Sequence, residues 1–175
     1  MNPKVEIFSQ GEEVVTGQVA DTNAAWLSTQ LVAMGFKVSR HNAVGDKLED
    51  LIALLKETAN RADCCICTGG LGPTTDDLTR EAVAIAFDSP LVFDEIAFEN
   101  ISRFFKKRQM PMPDVNRKQA FFPEKAKRID NDWGTAPAFS FKAQDCLFVF
   151  TAGVPFEMKH IFTEKVKPDL EQCFS

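Results

Sequence analysis

Three times in its first 86 residues the chain passes from a short apolar run into an amphipathic one, through glycine or polar turn residues each time. Lys4 to Ser9 reads as a strand, with Val5, Ile7 and Phe8 as its apolar members. Asp21-Thr22-Asn23 then offers N-cap side chains for a helix over Ala24 to Met34, which Gly35 stops in the manner of a C′ glycine. Phe36 to Arg40 reads as a second strand. Asp46 is positioned to cap a helix whose Leu48, Leu51, Ile52 and Leu55 form one stripe. Asp63 to Thr68 is a third strand, and a glycine loop leads from it to a helix over Asp77 to Ala86. Successive strand–helix units imply parallel strands joined by right-handed crossovers. The sequence therefore predicts an α/β fold with a mostly parallel sheet, whose ligands bind beyond the carboxyl ends of the strands. Three loops fall at that edge: Gly11 to Gly17, Gly69 to Asp76, and Gly153 to Pro155.

The second half is less regular. A helix is expected over Asp94 to Gln109, broken by Met110-Pro111-Met112-Pro113. A short helix follows over Asp114 to Phe121. Phe139 to Phe141 and Cys146 to Phe150 read as a small β-hairpin turning near Gln144-Asp145. The last helix runs from Pro155 to Glu171, with Pro168 interrupting its end.

At 175 residues the chain suits one domain and is short for two. A net charge of −5 disfavours nucleic acid as a partner, because duplex binding needs clustered Lys and Arg. The basic residues between Arg103 and Arg128 read as a solvated surface. Cys64, Cys65 and Cys67 alternate across a strand, so they suit a buried core better than a zinc site. Unpaired thiols fit a reducing compartment, and a cytoplasmic location is expected. No apolar run reaches the roughly 20 residues that cross a bilayer, and no membrane partner is expected. The chain opens without a leader-like pattern, and it ends at Ser175 without a boundary signal, as a fragment of a longer protein would.

The loop after the third strand carries the chemistry. Gly69, Gly70 and Gly72 let backbone N–H groups approach an anion closely, and a helix beginning after them adds its positive end. The segment lacks the Gly-Lys-Ser/Thr of a P-loop and the spacing of a dinucleotide fingerprint. Asp76 and Asp77 have two readings: caps of the next helix, or metal ligands beside a phosphate. Glu12, Glu13 and Asp21 belong to a neighbouring loop and would complete an acidic rim. Asn116, Lys118, Gln119, Asn131, Gly134 and Thr135 are further polar or glycine positions within reach of a ligand. The two histidines, His41 and His160, have no nucleophile paired with them by the sequence, so a Ser or Cys triad is not expected.

Six ordered motifs carry a resemblance that covers nearly the whole chain: Gly11-Glu12-Glu13-Val14-Val15-x-Gly17; Asp21-Thr22-Asn23; Thr68-Gly69-Gly70-Leu71-Gly72-Pro73-Thr74-x-Asp76-Asp77-Leu78-Thr79; Met112-Pro113-x-x-Asn116-x-Lys118-Gln119-Ala120; Asn131-x-x-Gly134-Thr135-Ala136-Pro137; and Gly153-Val154-Pro155-x-Glu157-Met158. Together they resemble the N-terminal domain of the CinA (competence/damage-inducible protein A) family, which is similar to the MoaB/MogA-like molybdopterin-binding fold. The resemblance implies a three-layer α/β/α sandwich and a homo-oligomer. It also implies metal-dependent hydrolysis of a nucleotide diphosphate linkage, as an ADP-ribose pyrophosphatase performs, with non-catalytic binding of a phosphorylated pterin or nucleotide as the alternative. The expected ligand is ADP-ribose, an FAD-like nucleotide or a pterin phosphate, and the expected cofactor is a divalent metal ion.

Carried over by motif, Asp77, Asp76 and Glu13 are the catalytic candidates, and Glu13, Asp21 and Asp77 the metal ligands. Thr68, Gly69, Gly70, Gly72, Thr74, Asn23, Asn116, Lys118, Gly134, Thr135, Gly153 and Pro155 are the substrate-binding candidates. Two positions depart from the family pattern. Ala152 stands where a proline precedes Gly153, which loosens that turn, and Ala138 stands where a glycine follows Pro137, which requires a negative φ. The C-terminal amidase domain of longer members is absent from these residues.

Overall fold

The computed structural model describes residues 2–175. In chain order the elements are β1 (Lys4–Gln10), α1 (Glu12–Val15), α2 (Thr22–Ala33), β2 (Lys37–Val44), α3 (Leu48–Ala59), β3 (Cys64–Thr68), α4 (Thr79–Ala86), β4 (Leu91–Phe93) and α5 (Glu95–Lys107). A 3₁₀ turn over Asp114–Ala120 follows, then β5 (Phe121–Pro123), β6 (Lys127–Ile129), β7 (Ala138–Ala143), β8 (Cys146–Thr151), α6 (Pro155–Ile161), a π-helical segment (Phe162–Val166) and α7 (Lys167–Cys173).

Six strands form one sheet in the order β2-β1-β3-β8-β7-β6. The first four neighbours are parallel, and β7 runs antiparallel to both β8 and β6. The expected β-hairpin is present as β7–β8, inside the main sheet, with Gln144 at φ 55° in its turn. A separate antiparallel ribbon joins β4 to β5.

Strand alternation explains the two cores. Val5, Ile7, Cys64 and Ile66 face one side, where α2 and the C-terminal helices supply Leu27, Leu31, Met158, Ile161 and Leu170. Phe8, Cys65 and Cys67 face the other, with Leu51, Leu55, Val83, Ile101, Phe139 and Phe148. Each fully buried Leu or Phe contributes about 1.5–3 kcal/mol by leaving water. The result is the expected three-layer α/β/α sandwich. Cys64, Cys65 and Cys67 are buried members of these cores, and burial raises their thiol pKa values.

Several boundaries differ from the sequence reading. β2 runs on to Val44 because an edge strand needs only backbone pairing, and β1 supplies it as far as Gln10–Val44. Asp46 is not a helix cap: α3 begins after Lys47 without a side-chain cap, and Asp46 Oδ1 accepts from Gln10 Nε2 at 3.1 Å. The Gly11–Gly17 loop contains the one-turn helix α1. Pro168 does not interrupt the last helix, because the segment before it widens into π geometry and absorbs a residue that lacks an N–H. Ala138 has no positive φ and enters β7 fully buried, so the missing glycine costs no backbone strain there. No helix among the described residues is long and apolar enough to cross a membrane.

One charged side chain is built into the sheet. Glu6 of β1 is completely buried, and its carboxylate takes Arg61 Nε at 2.7 Å, Arg61 Nη2 at 3.0 Å and Asn42 Nδ2 at 2.9 Å. Burial pushes its pKa up, but the Arg61 and Asn42 hydrogen bonds and the nearby Arg40 charge outweigh burial and hold it below the ordinary value. Removing one partner of such a pair strands a buried charge at about 3–5 kcal/mol. Arg61→Ala is expected to lose roughly 3 kcal/mol in urea denaturation at neutral pH. A carboxylate with a lowered folded pKa stabilises above its unfolded pKa, and this stability is lost as pH falls through the folded value. The gap between wild type and Arg61→Ala should therefore narrow on acidification below pH 4.5.

Candidate functional site

Beyond the carboxyl ends of β1, β3 and β8 lies a cleft of about 670 Å³. Its walls are the three loops expected at that edge, with Gln119, Thr135 and Ala136 closing the side nearest β7. Parallel pairing of Phe8, Cys67 and Phe150 in adjacent strands brings these chain exits level. Thr68 and Thr151 pair at the sheet's edge, and Thr68 opens into the cleft.

The glycine loop is fastened by its carbonyls. Gly70 sits at φ +70°, and a Cβ there would run into the Gln10 amide oxygen and the Thr79 hydroxyl. That hydroxyl donates to Gln10 Oε1 at 2.6 Å and approaches the Gly69 carbonyl at 3.2 Å, and Thr79 N–H donates to the Gly70 carbonyl at 3.3 Å. The Leu71 carbonyl accepts from Arg80 Nη1 at 3.1 Å and from Gln119 Nε2 at 3.3 Å. A trans peptide is planar, with its C=O and N–H on opposite edges. Holding the Leu71 carbonyl from the interior therefore turns the Gly72 N–H away from Arg80 and Gln119. Among the described residues no acceptor takes the N–H of Gly70, Leu71 or Gly72. These are the donors an anion would use.

Arg80 is the largest fully buried side chain. Burial pushes its pKa down to about 10, partly opposed by the Glu81 and Asp77 charges, so it stays cationic at neutral pH. Its Nε and Nη2 have no hydrogen-bond partner, and its guanidinium lies 5.7 Å from the centroid of the Phe122 ring.

Asp76 and Asp77 do not cap α4, which begins two residues after Asp77 with Leu78 in the cap position. Asp77 Oδ2 folds back to accept the Thr74 N–H at 2.9 Å and the Thr74 hydroxyl at 2.7 Å, closing a turn. Thr74 lines the cleft, but both its donors are committed there. Lys118 crosses behind the same turn, donating to the Thr74 carbonyl at 2.8 Å and to the Asp77 carbonyl, with Glu81 Oε1 at 3.5 Å.

Of the sequence-predicted residues, Glu13, Asp21, Asn23, Thr68, Gly69, Gly70, Gly72, Thr74, Asp76, Asp77, Thr135, Gly153 and Pro155 meet in the cleft. Asn116, Lys118 and Gly134 are not on its wall and act from behind it. Asn116 Nδ2 donates to Gln119 Oε1 at 2.9 Å and so orients the amide that grips Leu71. Gly134 leaves room for the Glu157 carboxylate, which fills the space a Cβ would take. Glu12 also leaves the rim: its carboxylate accepts the Asp46 N–H at 2.9 Å. Gln10 and Arg80 were not singled out from the sequence, and Glu157 stood there as a motif position without a role. Arg80 and Glu157 follow the first residues of helices, where a charged side chain gives no local signal of burial.

The expected metal ligands Glu13, Asp21 and Asp77 share the cleft without forming a ligand set. Among the described residues no three His, Cys, Asp or Glu side chains gather to hold a metal ion. Asp21 Oδ1 caps α2 through the Ala24 N–H at 3.0 Å, and one oxygen of Asp77 belongs to Thr74. These donors do not fit a metal site made by the protein alone. His41 does meet a hydroxyl, contrary to the sequence reading: its Nε2 lies 2.5 Å from Ser28 Oγ. The pair is outside the cleft, and among the described residues no carboxylate orients the ring, so it is not a triad.

The Ala152 turn is held rather than loose. Asn23 Nδ2 donates to the Gly153 carbonyl at 2.9 Å, and the Gly69 N–H donates to the Thr151 carbonyl at 3.1 Å.

Comparison with known proteins agrees with this architecture. Residues 6–172 match the family model described as a probable molybdopterin binding domain. A CinA-like protein of Shewanella woodyi is 43% identical over 171 residues, covering 98% of this chain and 40% of the relative. The chain thus spans about two fifths of the length of the curated relatives it matches. Among solved structures, the protein CinA from Thermoplasma acidophilum superposes with a TM-score of 0.87 at 28% identity, covering 95% of this chain and 98% of that one. The molybdopterin biosynthesis enzyme MoaB from Thermus thermophilus gives 0.66 at 20% identity over 99% and 94%, a likeness of fold. With all but its first five and last three residues inside the family match, this chain belongs to the molybdopterin-binding domain family, in its CinA-like branch.

Proposed function

We propose that the 175 residues act as one molybdopterin-binding-like domain whose cleft binds a phosphorylated small molecule, a nucleotide diphosphate or a pterin phosphate. One observation carries this reading: three successive N–H groups, of Gly70, Leu71 and Gly72, lack acceptors in a loop whose carbonyls are fixed from behind. Oriented amides stabilise an anion without having to reorganise on binding. They also explain how a protein of net charge −5 holds phosphate, with Lys118 and buried Arg80 as the nearby positive charges. The matching family description, a probable molybdopterin binding domain, supports the same class of ligand.

Hydrolysis of the diphosphate linkage, with ADP-ribose as the favoured substrate, is the second reading. It is favoured by the carboxylates of Glu13, Asp76 and Asp77 on the wall of the cleft that holds the loop. Asp77 Oδ1 has no partner among the described residues and would take the proton of an attacking water, with Glu13 and Asp76 as the alternative bases. No step here is assigned to a divalent cation, since Glu13, Asp21 and Asp77 do not assemble around one. Cation dependence is a variable for the assay.

Calorimetric titration with inorganic pyrophosphate should show binding, and Lys118→Met should weaken it about tenfold, roughly 1.4 kcal/mol. A wild-type protein that binds neither pyrophosphate nor ADP-ribose would remove the primary reading. Chromatography of ADP-ribose incubations, with and without magnesium or manganese, separates the second reading from the first. Under hydrolysis AMP accumulates, and Asp77→Asn lowers its rate at least a hundredfold, in the range of a lost general base. Tight binding without AMP leaves a binding module.

A further inference from the structure

A second part of the cleft wall, which abuts the glycine loop where Gly153 packs against Gly69, carries side-chain acceptors. It is formed by the start of α2 and by the turn leading into α6, which Asn23 ties together through its 2.9 Å bond to the Gly153 carbonyl. Only the amide nitrogen of Asn23 is used. Its Oδ1 is buried without a hydrogen-bond partner, in a residue only 8% exposed that lines the cleft. An orphaned buried acceptor is destabilising until a donor reaches it.

Four residues beyond Gly153, Glu157 lines the same cleft. Its carboxylate lies over Gly134, the one kind of residue that leaves it this space, with the Asn131 amide close by. No Lys, Arg or His among the described residues forms an ion pair with it. Burial raises its pKa, opposed in part by an Asn131 hydrogen bond. A partly desolvated carboxylate without a cation is satisfied best by N–H or O–H donors.

We infer that Glu157 and Asn23 form a donor-reading subsite, which receives two adjacent hydrogen-bond donors of the ligand while the Gly69–Gly72 loop holds its phosphate. Two chemical groups present such a pair: the cis-diol of a ribose, and the N–H/NH₂ edge of a 2-amino-4-oxopyrimidine ring in guanine or a pterin. Carboxylate recognition of ribose hydroxyls is the known physical precedent for the first. A site built for such donors rejects ligands that lack them, because its own buried acceptors are then left unpaired. The inference rests on the phosphate-binding reading for the ligand's orientation, and its discrimination can be measured separately.

Titrations with two matched pairs of probes test it, alongside inorganic pyrophosphate as a probe of the loop alone. ADP against 2′,3′-dideoxy-ADP reports the diol, and GDP against IDP reports the 2-amino group. Wild type should prefer the donor-bearing member of one pair by about tenfold, as expected for one or two hydrogen bonds to a charged group. In Glu157→Gln that preference should fall to within about twofold, with pyrophosphate affinity and melting temperature unchanged. Equal affinities within both pairs in wild type would overturn the subsite, as would a Glu157→Gln loss that is the same for pyrophosphate and nucleotides. Failure of pyrophosphate alone, with discrimination intact, would strike the phosphate loop and leave the subsite standing.

Discussion

The candidate site depends on one carbonyl. Leu71 C=O is held from the interior by Arg80 and Gln119, and that grip fixes the peptide whose other edge is the Gly72 N–H. The supporting chain runs far along the sequence: Asn116 orients Gln119, and Gln119 also reaches the Thr135 hydroxyl. Lys118, between them, straps the Thr74–Asp77 turn. The 3₁₀ turn Asp114–Ala120 is thus the frame of a loop some 45 residues earlier. Its side chains touch the loop's back, which is why Asn116 and Lys118 shape the site without lining it.

This frame is bought with buried charge. Arg80 lies fully inside with two of its three guanidinium nitrogens unpartnered, and Glu6 lies fully inside the sheet. The two differ in kind. Glu6 is saturated by Arg61 and Asn42, so its burial is balanced locally. Arg80 is balanced by one carbonyl and by the face of Phe122, with the Glu81 and Asp77 charges nearby. An incompletely satisfied cation so close to the glycine loop also supplies a positive long-range field in that corner of the cleft.

The layout of the sheet was legible because periodicity and turn chemistry agree along the first 86 residues, and the strand–helix alternation admits few topologies. The glycine loop was legible for the same reason, lying between a buried strand and a helix. The capping reading of Asp76 and Asp77 fails because local spacing cannot show a side chain folding back, as Asp77 does onto Thr74. The length of β2 beyond Arg40 was hidden by its polar His41 and Asn42, which an edge strand tolerates. Arg80 and Glu157 were hidden for a deeper reason. Charged residues near helix starts look solvated, and only the packing of Phe122 by one takes it inside, while the absence of a side chain at Gly134 lets the other lie half-buried on the cleft wall.

These placements give the cleft a direction. Unused donors lie along the Gly70–Gly72 backbone on one part of the cleft wall, and the unpartnered Asn23 Oδ1 and the Glu157 carboxylate, which has no cation, lie on another part beside the Gly153 turn. An inorganic anion satisfies only the first part, and a neutral heterocycle only the second. A molecule with phosphate at one end and paired N–H or O–H groups at the other satisfies both, and in doing so removes the desolvation penalty of each. Carboxylates at the rim then act as a filter as much as a chemical group. If the loop binds phosphate as proposed, Glu13 and Asp76 on the cleft wall would repel any anion that does not reach the amides, and affinity would be conditional on seating the phosphate against the loop.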